Sequence, residues 1–251
     1  MLTIQIVSDL HIEYNNDAHI DPLNFITPSA DVLIMAGDIG SLYKYDQLHS
    51  FIKDIVPHFK HVLYVPGNHE YYLPPSRYEP KSMDELKQVL RNLEKSFDNL
   101  TVLDHNSVQI DDVCIAGATL WSDLKCELPR FVRIHHMSTS TYKLHFQRDV
   151  AYITDMVDYC CENKLKLICV THHVPTYQAT GDKFKNDRYN SLKSSNLSYL
   201  LHKDKVDTWI CGHVHYNFDF VTEHGCRVVG NQSGKPKDNI QDFRKDFVIK
   251  F

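Results

Sequence analysis

Short apolar runs separated by polar clusters dominate the first 70 residues of the chain. Three of these runs have the continuous apolar character of strands buried on both faces, and they cover residues 3–8, 32–36 and 61–65. Between the last two runs, apolar residues recur at helical spacing and a proline follows: Leu48, Phe51, Ile52, Ile55 and Pro57. This order of strand, helix and strand predicts parallel strands joined by right-handed crossovers.

A second type of pattern begins after residue 80. Ser82 and Glu85 have the spacing of a capping box, and they precede the apolar stripe of another helix. A pair of adjacent aspartates further on indicates the turn of a hairpin, which would begin a second sheet. Short strands are expected here at residues 101–103, 108–110 and 113–117.

The rest of the chain alternates helices and strands after one irregular segment. Residues 121–141 follow no period, which is typical of a functional or mobile insertion. Helices are expected at residues 146–163 and 196–202. Strands are expected at residues 167–171, 208–211, 217–221, 227–229 and 247–249, of which the last three should complete the second sheet.

Polar clusters directly follow five of the buried strands. They are Asp9-Leu10-His11, Gly37-Asp38, Gly67-Asn68-His69-Glu70, His172-His173 and Gly212-His213-Val214-His215. Because open α/β sheets bind their ligands beyond the carboxyl ends of the strands, the five clusters are expected to meet at a common edge. Each cluster alone occurs often by chance, whereas five in succession, each after a strand, indicate one composite site.

The residue types in these clusters predict metal chemistry. They supply carboxylate, amide and imidazole groups and no thiolate: Asp9, His11, Asp38, Asn68, His172, His213 and His215. This donor set favours borderline-to-hard divalent ions such as Mn, Fe or Zn, and seven ligands fit two ions that share a bridging carboxylate. We expect the Asp-x-His and His-x-His pairs to chelate, because residues i and i+2 of an extended chain point to the same side.

Composition narrows the class of protein. With 251 residues, 43% of them hydrophobic, one large domain or two small ones are possible, and we favour a single domain over residues 1–251. No stretch approaches the ~20 apolar residues of a membrane span and no signal peptide is evident, so a soluble cytoplasmic protein is expected.

Cysteine usage and charge agree with that class. Seven cysteines without paired spacing suit a reducing compartment, and Cys114, Cys169 and Cys211 are expected in the core. A net charge of −5 argues against an extended nucleic-acid-binding face and leaves the oligomeric state open.

The order of the motifs resembles that of the metallophosphoesterase family, also called calcineurin-like phosphoesterases, over essentially the whole chain. Gly117-Ala118-Thr119-Leu120-Trp121 and Thr171-His172-His173-Val174-Pro175 are similar to segments of a subgroup of small members. The resemblance implies an α/β fold of the α+β type, a four-layer α/β/β/α sandwich of two mixed β-sheets flanked by helices.

The resemblance also implies a centre of two divalent metal ions, with Mn expected to be active in vitro. Asp9, His11 and His215 would bind the first ion, Asp38 would bridge, and Asn68, His172 and His213 would bind the second, with His173 as an alternative to His172. His69 matches no ligand position; in the family it faces the substrate phosphate and protonates the leaving oxygen. Glu70 would either orient that ring or simply end the turn.

The reaction implied is hydrolysis of a phosphoester by a hydroxide that bridges the two ions. Protein phosphatases of this superfamily extend the second motif to an arginine that grips phosphate, whereas here Asp38 is followed by Ile39-Gly40-Ser41-Leu42. We therefore expect a phosphodiester or nucleotide substrate, with a phosphomonoester as the alternative. The candidate substrate contacts are His173, Arg77, Arg133, Arg188 and Tyr72.

Two other classes of function stay open. A non-catalytic binding scaffold of the same fold is disfavoured because neither His69 nor any ligand is missing. A DNA nuclease is disfavoured by the size of the chain and by the lack of an added DNA-binding segment.

Overall fold

The computed structural model describes residues 2–16, 19–75, 78–181, 184, 187 and 189–251. In these residues the first β-sheet has at its centre the three apolar runs from the start of the chain, paired in parallel: β1 (Thr3–Val7), β2 (Val32–Ala36) and β3 (His61–Val65). Its edges are β4 (Leu100–Val102), parallel to β3, and β11 (Val248–Lys250), antiparallel to β1.

The second sheet is formed by the strands that lie between β4 and β11 in sequence. They are β5 (Asn106–Ile110), β6 (Val113–Ala118), β7 (Lys166–Thr171), β8 (Thr208–Ile210), β9 (Phe218–Val221) and β10 (Arg227–Gly230). Across the sheet their order is β5-β6-β7-β8-β10-β9, with antiparallel pairs only at its two edges. The sheet is therefore mixed, as is the first.

Three α-helices lie in the described residues, and a serine side chain caps the amino terminus of the second and of the third. They are α1 (Tyr45–Ile55), α2 (Met83–Glu94) and α3 (Thr139–Asn163). Ser82 and Glu85 form the expected capping box of α2, since the Ser82 hydroxyl accepts from the Glu85 amide (3.3 Å) and the Glu85 carboxylate accepts from the Ser82 amide (2.7 Å).

Three apolar layers hold the sheets and helices together. The middle layer packs one sheet on the other, with Ile6 and Ile34 of the first sheet in the same cluster as Ile168 and Ile210 of the second. Alternate residues on the other face of the first sheet pack with α1 and α2, and the outer face of the second sheet packs with α3. The layers thus run helix, sheet, sheet, helix, which confirms the predicted four-layer α/β/β/α sandwich.

Two polar links join α3 to the second sheet and its neighbouring loops. His105, directly before β5, donates from Nε2 to Asp149 Oδ1 on α3 (2.6 Å), and Asp149 Oδ2 accepts from the Trp121 amide (2.9 Å). Within the core under α3, the fully buried Trp209 donates its indole proton to the Thr171 hydroxyl (2.9 Å). These bonds satisfy polar groups that the packing of α3 on the second sheet buries, among them Asp149 and Thr171.

Four details of the predicted elements were wrong. The strand predicted at 247–249 joins the first sheet instead of the second. The Asn231 side chain donates to the Ile6 carbonyl and accepts from the Arg244 amide, and these bonds bring the chain back to β1. The strand predicted at 101–103 also belongs to the first sheet, beside β3.

The two helices predicted in the second half differ from those observed. The helix predicted from residue 146 already begins at Thr139, where the Ser138 hydroxyl accepts from the Thr141 amide (3.1 Å). Residues 196–202 contain only a 3-10 turn, since the Leu197 amide donates to the Pro175 carbonyl (2.9 Å) instead of to a helix.

Two further expectations concern cysteine and the membrane. All seven cysteines are free thiols, and Cys114, Cys169 and Cys211 are buried as predicted. Among the described residues, none of the helices combines the length and the apolar character that crossing a bilayer requires.

Candidate active site

The five polar clusters meet where the carboxyl ends of strands from both sheets face each other. Asp9 and His11 follow β1, Asp38 follows β2 and Asn68 follows β3. From the second sheet come His172 after β7, and His213 and His215 after β8. The site therefore lies across the junction of the sheets, and its side chains are held by the rigid strand ends that precede them.

The backbone at these positions is not extended, contrary to our reason for expecting chelating pairs. Five of the candidate ligands have left-handed backbone angles: Asp9 (φ 54°), His11 (φ 49°), Asp38 (φ 53°), His213 (φ 73°) and His215 (φ 49°). Such angles are uncommon for residues with a side chain, and they cluster where function requires them. The paired side chains are thus brought together by matching tight turns.

Two glycines let the backbone approach these carboxylates closely. A Cβ on Gly67 would lie 2.6 Å from the Asp38 amide nitrogen and would also overlap its carboxylate. A Cβ on Gly212 would lie 2.5 Å from Asp9 Oδ2. These positions require glycine because no side chain fits there.

The first group of candidate ligands consists of Asp9, His11 and His215. His11 Nε2 lies 3.0 Å from His215 Nε2, and His215 Nε2 lies 3.2 Å from Asp9 Oδ1. The second group consists of Asp38, Asn68, His172 and His213. His172 Nε2 lies 3.1 Å from Asn68 Oδ1, 3.1 Å from His213 Nδ1 and 3.3 Å from Asp38 Oδ1.

Asp38 connects the two groups. Its Oδ2 lies 3.7 Å from His11 Nε2 in the first group, while its Oδ1 faces His172 in the second. Ligand atoms of each of the sets Asp9-His11-His215 and Asp38-His172-His213 lie within 4.8 Å of one another, as do those of a third set, His11-Asp38-His69. The structure thus brings together all seven residues that the sequence predicts as ligands, and it also places His69, which matches no ligand position, beside His11 and Asp38.

Proton positions at the imidazoles show that this arrangement suits cations. His11 Nδ1 faces Glu13 (3.0 Å), His215 Nδ1 faces Asp238 (2.5 Å) and His172 Nδ1 faces the Ala36 carbonyl (2.9 Å). Because these oxygens only accept, each Nδ1 carries the proton and each Nε2 presents a lone pair. Lone pairs that converge on carboxylate and amide oxygens need a cation between them, so these residues fit two divalent ions.

Burial and mutual attraction shift the protonation of these groups. Burial would raise the pKa of Asp38, but the imidazoles of His172 and His69 outweigh it and hold the pKa well below its usual range. Burial opposes charge on His172, yet Asp38 and Asp9 raise its pKa to about 9, so that without a cation Nε2 also carries a proton, which a bound divalent ion would displace. The carboxylates are therefore ionised, as ligands of a divalent ion must be.

His69 lies beside the two groups and takes part in other contacts. Its amide donates to Asp38 Oδ1 (2.8 Å), its Nδ1 faces Glu13 Oε1 (3.1 Å), and its ring stacks on Tyr72 with 4.6 Å between centroids. Burial lowers the pKa of His69, whereas Asp38 and Glu13 act against that shift. The ring is held at Nδ1 and on one face, and His69 is one of the residues that line the cavity described below.

Glu70 ends the turn and does not orient the His69 ring. Its carboxylate, fully buried, accepts from the amides of Gly67 (2.8 Å), Asp38 (3.0 Å) and Ile39 (2.8 Å), and from the Tyr64 hydroxyl (2.6 Å). Burial and the charge on Asp38 raise the pKa of Glu70 to about 8, although the hydrogen bonds from Tyr64 and Ile39 act to lower it. Glu70 therefore ties the Asp38 loop to the Gly67 loop.

A cavity of about 590 Å³ opens from the candidate metal groups. Its inner end is formed by ligand and candidate catalytic side chains, and its walls carry aromatic and apolar side chains: Tyr14, Tyr72, Trp121, Phe131, Val132, Tyr142, Phe184, Tyr189, Leu192 and Val214. Arg133, Lys193 and Lys235 also line it. The volume and mixed lining are those of a site for a small organic ligand.

Three of the five candidate substrate contacts line the cavity: Tyr72, Arg133 and His173. The other two, Arg77 and Arg188, lie outside the described residues. His173 is buried and its Nδ1 donates to the Thr119 carbonyl (3.3 Å), and burial beside His172 lowers its pKa to about 3. It is His172, not His173, that contacts Asp38 and Asn68.

Sequence reasoning missed three residues of this site. Glu13 and Asp238 accept from histidine Nδ1 atoms, and Lys235 borders the cavity. Glu13 stands two residues after His11, a spacing that could have drawn attention to it. Asp238 and Lys235 lie in a segment between β10 and β11 that carries no motif.

Comparison with known proteins finds a relative that covers nearly the whole chain. A protein from Acanthamoeba polyphaga mimivirus, named uncharacterized protein L509, is 28% identical over 266 aligned residues, covering 93% of this chain and 91% of that protein.

Two solved structures share the fold. The phosphopantetheinyl hydrolase PptH from Mycobacterium tuberculosis matches with a TM-score of 0.73 and 15% identity, over 98% of this chain and 94% of the other. A dimetal phosphatase from Danio rerio matches with a TM-score of 0.58 and 12% identity, over 91% of this chain and 86% of the other.

The match to a family model is the most specific of these findings. The model described as calcineurin-like phosphoesterase matches residues 2–217, a range that includes every motif described above. With the two-sheet fold and the grouped candidate ligands, it identifies the chain as a member of the calcineurin-like phosphoesterase family.

Proposed function

We propose that this family member hydrolyses a phosphodiester, with a nucleotide or a similar aromatic phosphoester as its substrate. The observation that carries the proposal is the cavity, in which two groups of candidate metal ligands form one end and aromatic rings form the walls. Membership of the family supports metal-dependent phosphoester hydrolysis, and the shape and lining of the cavity support the choice of substrate.

In this proposal the chain holds two divalent ions through seven side chains. Asp9, His11 and His215 bind one, Asn68, His172 and His213 bind the other, and Asp38 touches both. When bound, such ions activate water near neutral pH and neutralise charge on the phosphoryl oxygens. The carboxylates of Glu13 and Asp238 accept from the Nδ1 atoms of His11 and His215, which leaves Nε2 of each ring to bind an ion.

His69 supplies the proton that the leaving oxygen needs. It borders the cavity beside both ligand groups, and no contact described above occupies its remaining edge. An imidazolium can donate a proton near neutral pH, and the charges of Asp38 and Glu13 favour that form of His69 against the effect of burial. No nucleophilic side chain is assigned, because water is the nucleophile and no covalent phosphoenzyme is required.

A diester is favoured over a monoester for two reasons. The loop after Asp38 carries no arginine, and the cations that line the cavity stand on other segments, at Arg133, Lys193 and Lys235. Lys193 is paired with Asp187 (2.6 Å), whereas no ion pair of Arg133 or Lys235 occurs among the described residues. Second, a cavity of about 590 Å³ has room for both substituents of a diester.

The test is a substrate panel with purified protein and Mn. It compares bis-p-nitrophenyl phosphate with p-nitrophenyl phosphate, and then nucleotides, cyclic nucleotides and phosphopantetheine-bearing esters, since one structural neighbour is a phosphopantetheinyl hydrolase. A higher kcat/KM for diesters is expected. A preference for monoesters would overturn the choice of substrate and favour a phosphatase, as the Danio rerio neighbour is named.

Two outcomes of the same panel would point to the other classes. No turnover of any ester with Mn, Fe or Zn would favour a non-catalytic scaffold. Nicking of plasmid DNA at rates above those for small diesters would favour a nuclease.

A further inference from the structure

Glu13 contacts the two halves of the proposed machinery at once. Its Oε1 lies 3.0 Å from His11 Nδ1 and 3.1 Å from His69 Nδ1. The residue stands on a 3-10 turn, Ile12–Tyr14, directly after the left-handed turn at His11. The side chain is 13% exposed, and its Oε2 is buried without a hydrogen-bond partner among the described residues.

The two contacts have a common chemical consequence. A carboxylate oxygen only accepts, so both imidazoles donate from Nδ1. His11 then presents the lone pair of Nε2 towards His215 and Asp38, as a ligand must. In the imidazolium form of His69 the second proton is then on Nε2, and transfer of that proton to the leaving oxygen leaves the neutral ring protonated at Nδ1; His69 lines the cavity.

Other contacts of His69 fix its position but not its ring orientation. The backbone is held by Asp38 and one ring face lies on Tyr72, yet neither contact distinguishes the two edges of the ring. A rotation of the ring by half a turn would leave the stacking nearly unchanged and would exchange the nitrogen with a carbon. Among the described contacts, the hydrogen bond from His69 Nδ1 to Glu13 Oε1 distinguishes the two orientations, whereas the edge-on packing of the ring against His11, with 4.6 Å between centroids, does not select a nitrogen over a carbon.

We propose that Glu13 is a positioning residue, which orients the imidazole of His69 for proton transfer to the leaving oxygen and fixes the tautomer of His11. The proposal rests on the proposed function for the proton transfer. The orientation of the ring can be measured without turnover. A single carboxylate thereby couples the arrangement of a metal ligand to that of the proton donor.

Leaving groups of different basicity test this role. A nitrophenolate leaves without a proton, whereas an unsubstituted phenolate or an alkoxide depends on one. We expect Glu13→Ala, assayed at saturating Mn, to lower kcat by less than about tenfold for bis-p-nitrophenyl phosphate and by about 10²-fold for diphenyl phosphate, within the range for a general acid. Glu13→Gln, which keeps an accepting oxygen, should recover part of the loss.

Controls separate positioning from a structural effect. Glu162→Ala, an exposed glutamate at the end of α3, should behave as wild type on both esters. On diphenyl phosphate, Glu13→Ala combined with His69→Ala should be slower than His69→Ala alone by no more than the loss that Glu13→Ala shows on bis-p-nitrophenyl phosphate, because without His69 only the effect through His11 remains. Equal losses on both esters at full metal content, or additive losses in the double variant, would overturn the proposal.

A magnetic resonance measurement gives an outcome that does not depend on activity. Long-range ¹H–¹⁵N spectra should show His69 protonated at Nδ1 in the wild type and a changed tautomer in Glu13→Ala. An unchanged tautomer would overturn the proposal, even if the wild type were active. Wild-type protein that turns over no ester would instead overturn the proposed function and leave the ring orientation to be decided by these spectra.

Discussion

Asp38 is the residue on which both groups of candidate ligands depend. Its two oxygens face imidazoles of different groups, at 3.7 Å and 3.3 Å, and its backbone is held in a left-handed turn by the carboxylate of Glu70. Burial would raise the pKa of its carboxyl group, but the surrounding imidazoles outweigh burial and hold the pKa well below the usual range. A change at this position is therefore expected to affect both of the proposed ions.

Replacing Asp38 by alanine should release both metals. The variant keeps three candidate ligands of each group but loses the carboxylate that both share, so the second group is left without negative charge and the first keeps only Asp9. Elemental analysis of protein purified with Mn should find well under one ion per chain, against about two for wild type and for the exposed-site control Asp98→Ala. Retention of two ions would contradict a bridging role.

His69→Ala should separate chemistry from metal binding. Since His69 lies outside both groups in the proposal, metal content should stay near two ions while kcat falls by about 10²- to 10⁴-fold, the usual loss for a general acid. Steady-state rates with a phenyl ester measure the loss of kcat, and elemental analysis of the same preparation measures the metal content. His58→Ala, an exposed histidine, serves as control; a loss of metal in His69→Ala would show that the ring is a ligand.

The residues at the site divide into those that the sequence could predict and those that it could not. The seven candidate ligands and His69 could be predicted because each stands directly after a strand in a recognisable motif. Asp238 could not, and Glu13 only through its spacing from His11, since the contacts of these acidic side chains with His215 and His69 join positions far apart along the chain. Contacts across 23 to 56 positions leave no periodic signal.

At the scale of elements, α3 and the crossover into the second sheet are joined through one charged hydrogen bond. Asp149 on α3 is buried and accepts from His105, just before β5, and from the Trp121 amide. Other groups near the His105 imidazole are Asp104, Lys87 and the Tyr152 ring. The hydrogen bond from His105 to Asp149 is the largest cause of the raised pKa of His105.

This link should make stability depend on pH. Because the pKa of His105 is higher in the folded protein than in the unfolded chain, its contribution is fully present below about pH 6.5 and is lost as pH rises through the folded pKa. Urea unfolding at pH 6.0 and pH 8.5 should therefore show a larger difference between wild type and His105→Gln at pH 6.0. The exposed-site variant His58→Gln should show no such change, and equal differences at both pH values would contradict the link.

Element boundaries in the first half of the chain could be predicted more closely than sheet membership. Strands β2 and β3 have the predicted limits, since a continuous apolar run between polar residues marks both ends. The assignment of β4 and β11 to the first sheet could not be predicted, because a short strand has no residue that specifies its neighbour. The first turns of α3 were missed because Thr139, Ser140 and Thr141 favour caps and turns over helix interiors.

At the scale of the whole molecule, the candidate metal centre connects the two sheets. Four of the seven ligands follow strands of the first sheet and three follow strands of the second. The apolar layer between the sheets holds them in place, but lone pairs and carboxylates crowd together at the shared edge. Bound cations would therefore stabilise the folded arrangement of both sheets.

Removing metal should lower the thermal stability of the protein. A metal ion at a free concentration 100 times its Kd adds about 2.7 kcal/mol to the free energy of unfolding. For a chain of this size that corresponds to an increase in Tm of about 5 to 10 °C. Calorimetry before and after treatment with EDTA, followed by dialysis, should show this decrease, and added Mn should reverse it. The Tm of Asp38→Ala should not respond to the chelator; an unchanged wild-type Tm would argue against ions that join the sheets.

The positions of the two tryptophans have a spectroscopic consequence. Trp209 is fully buried under α3 and bonded to Thr171, so its emission should be blue-shifted and should report the loss of the core on unfolding. Trp121 lines the cavity, with its ring 5.7 Å from that of His173 and 5.1 Å from that of Tyr142. Its fluorescence should respond to a ligand that enters the cavity, so that Trp209→Phe would leave a single intrinsic reporter with which the binding of uncoloured esters can be followed.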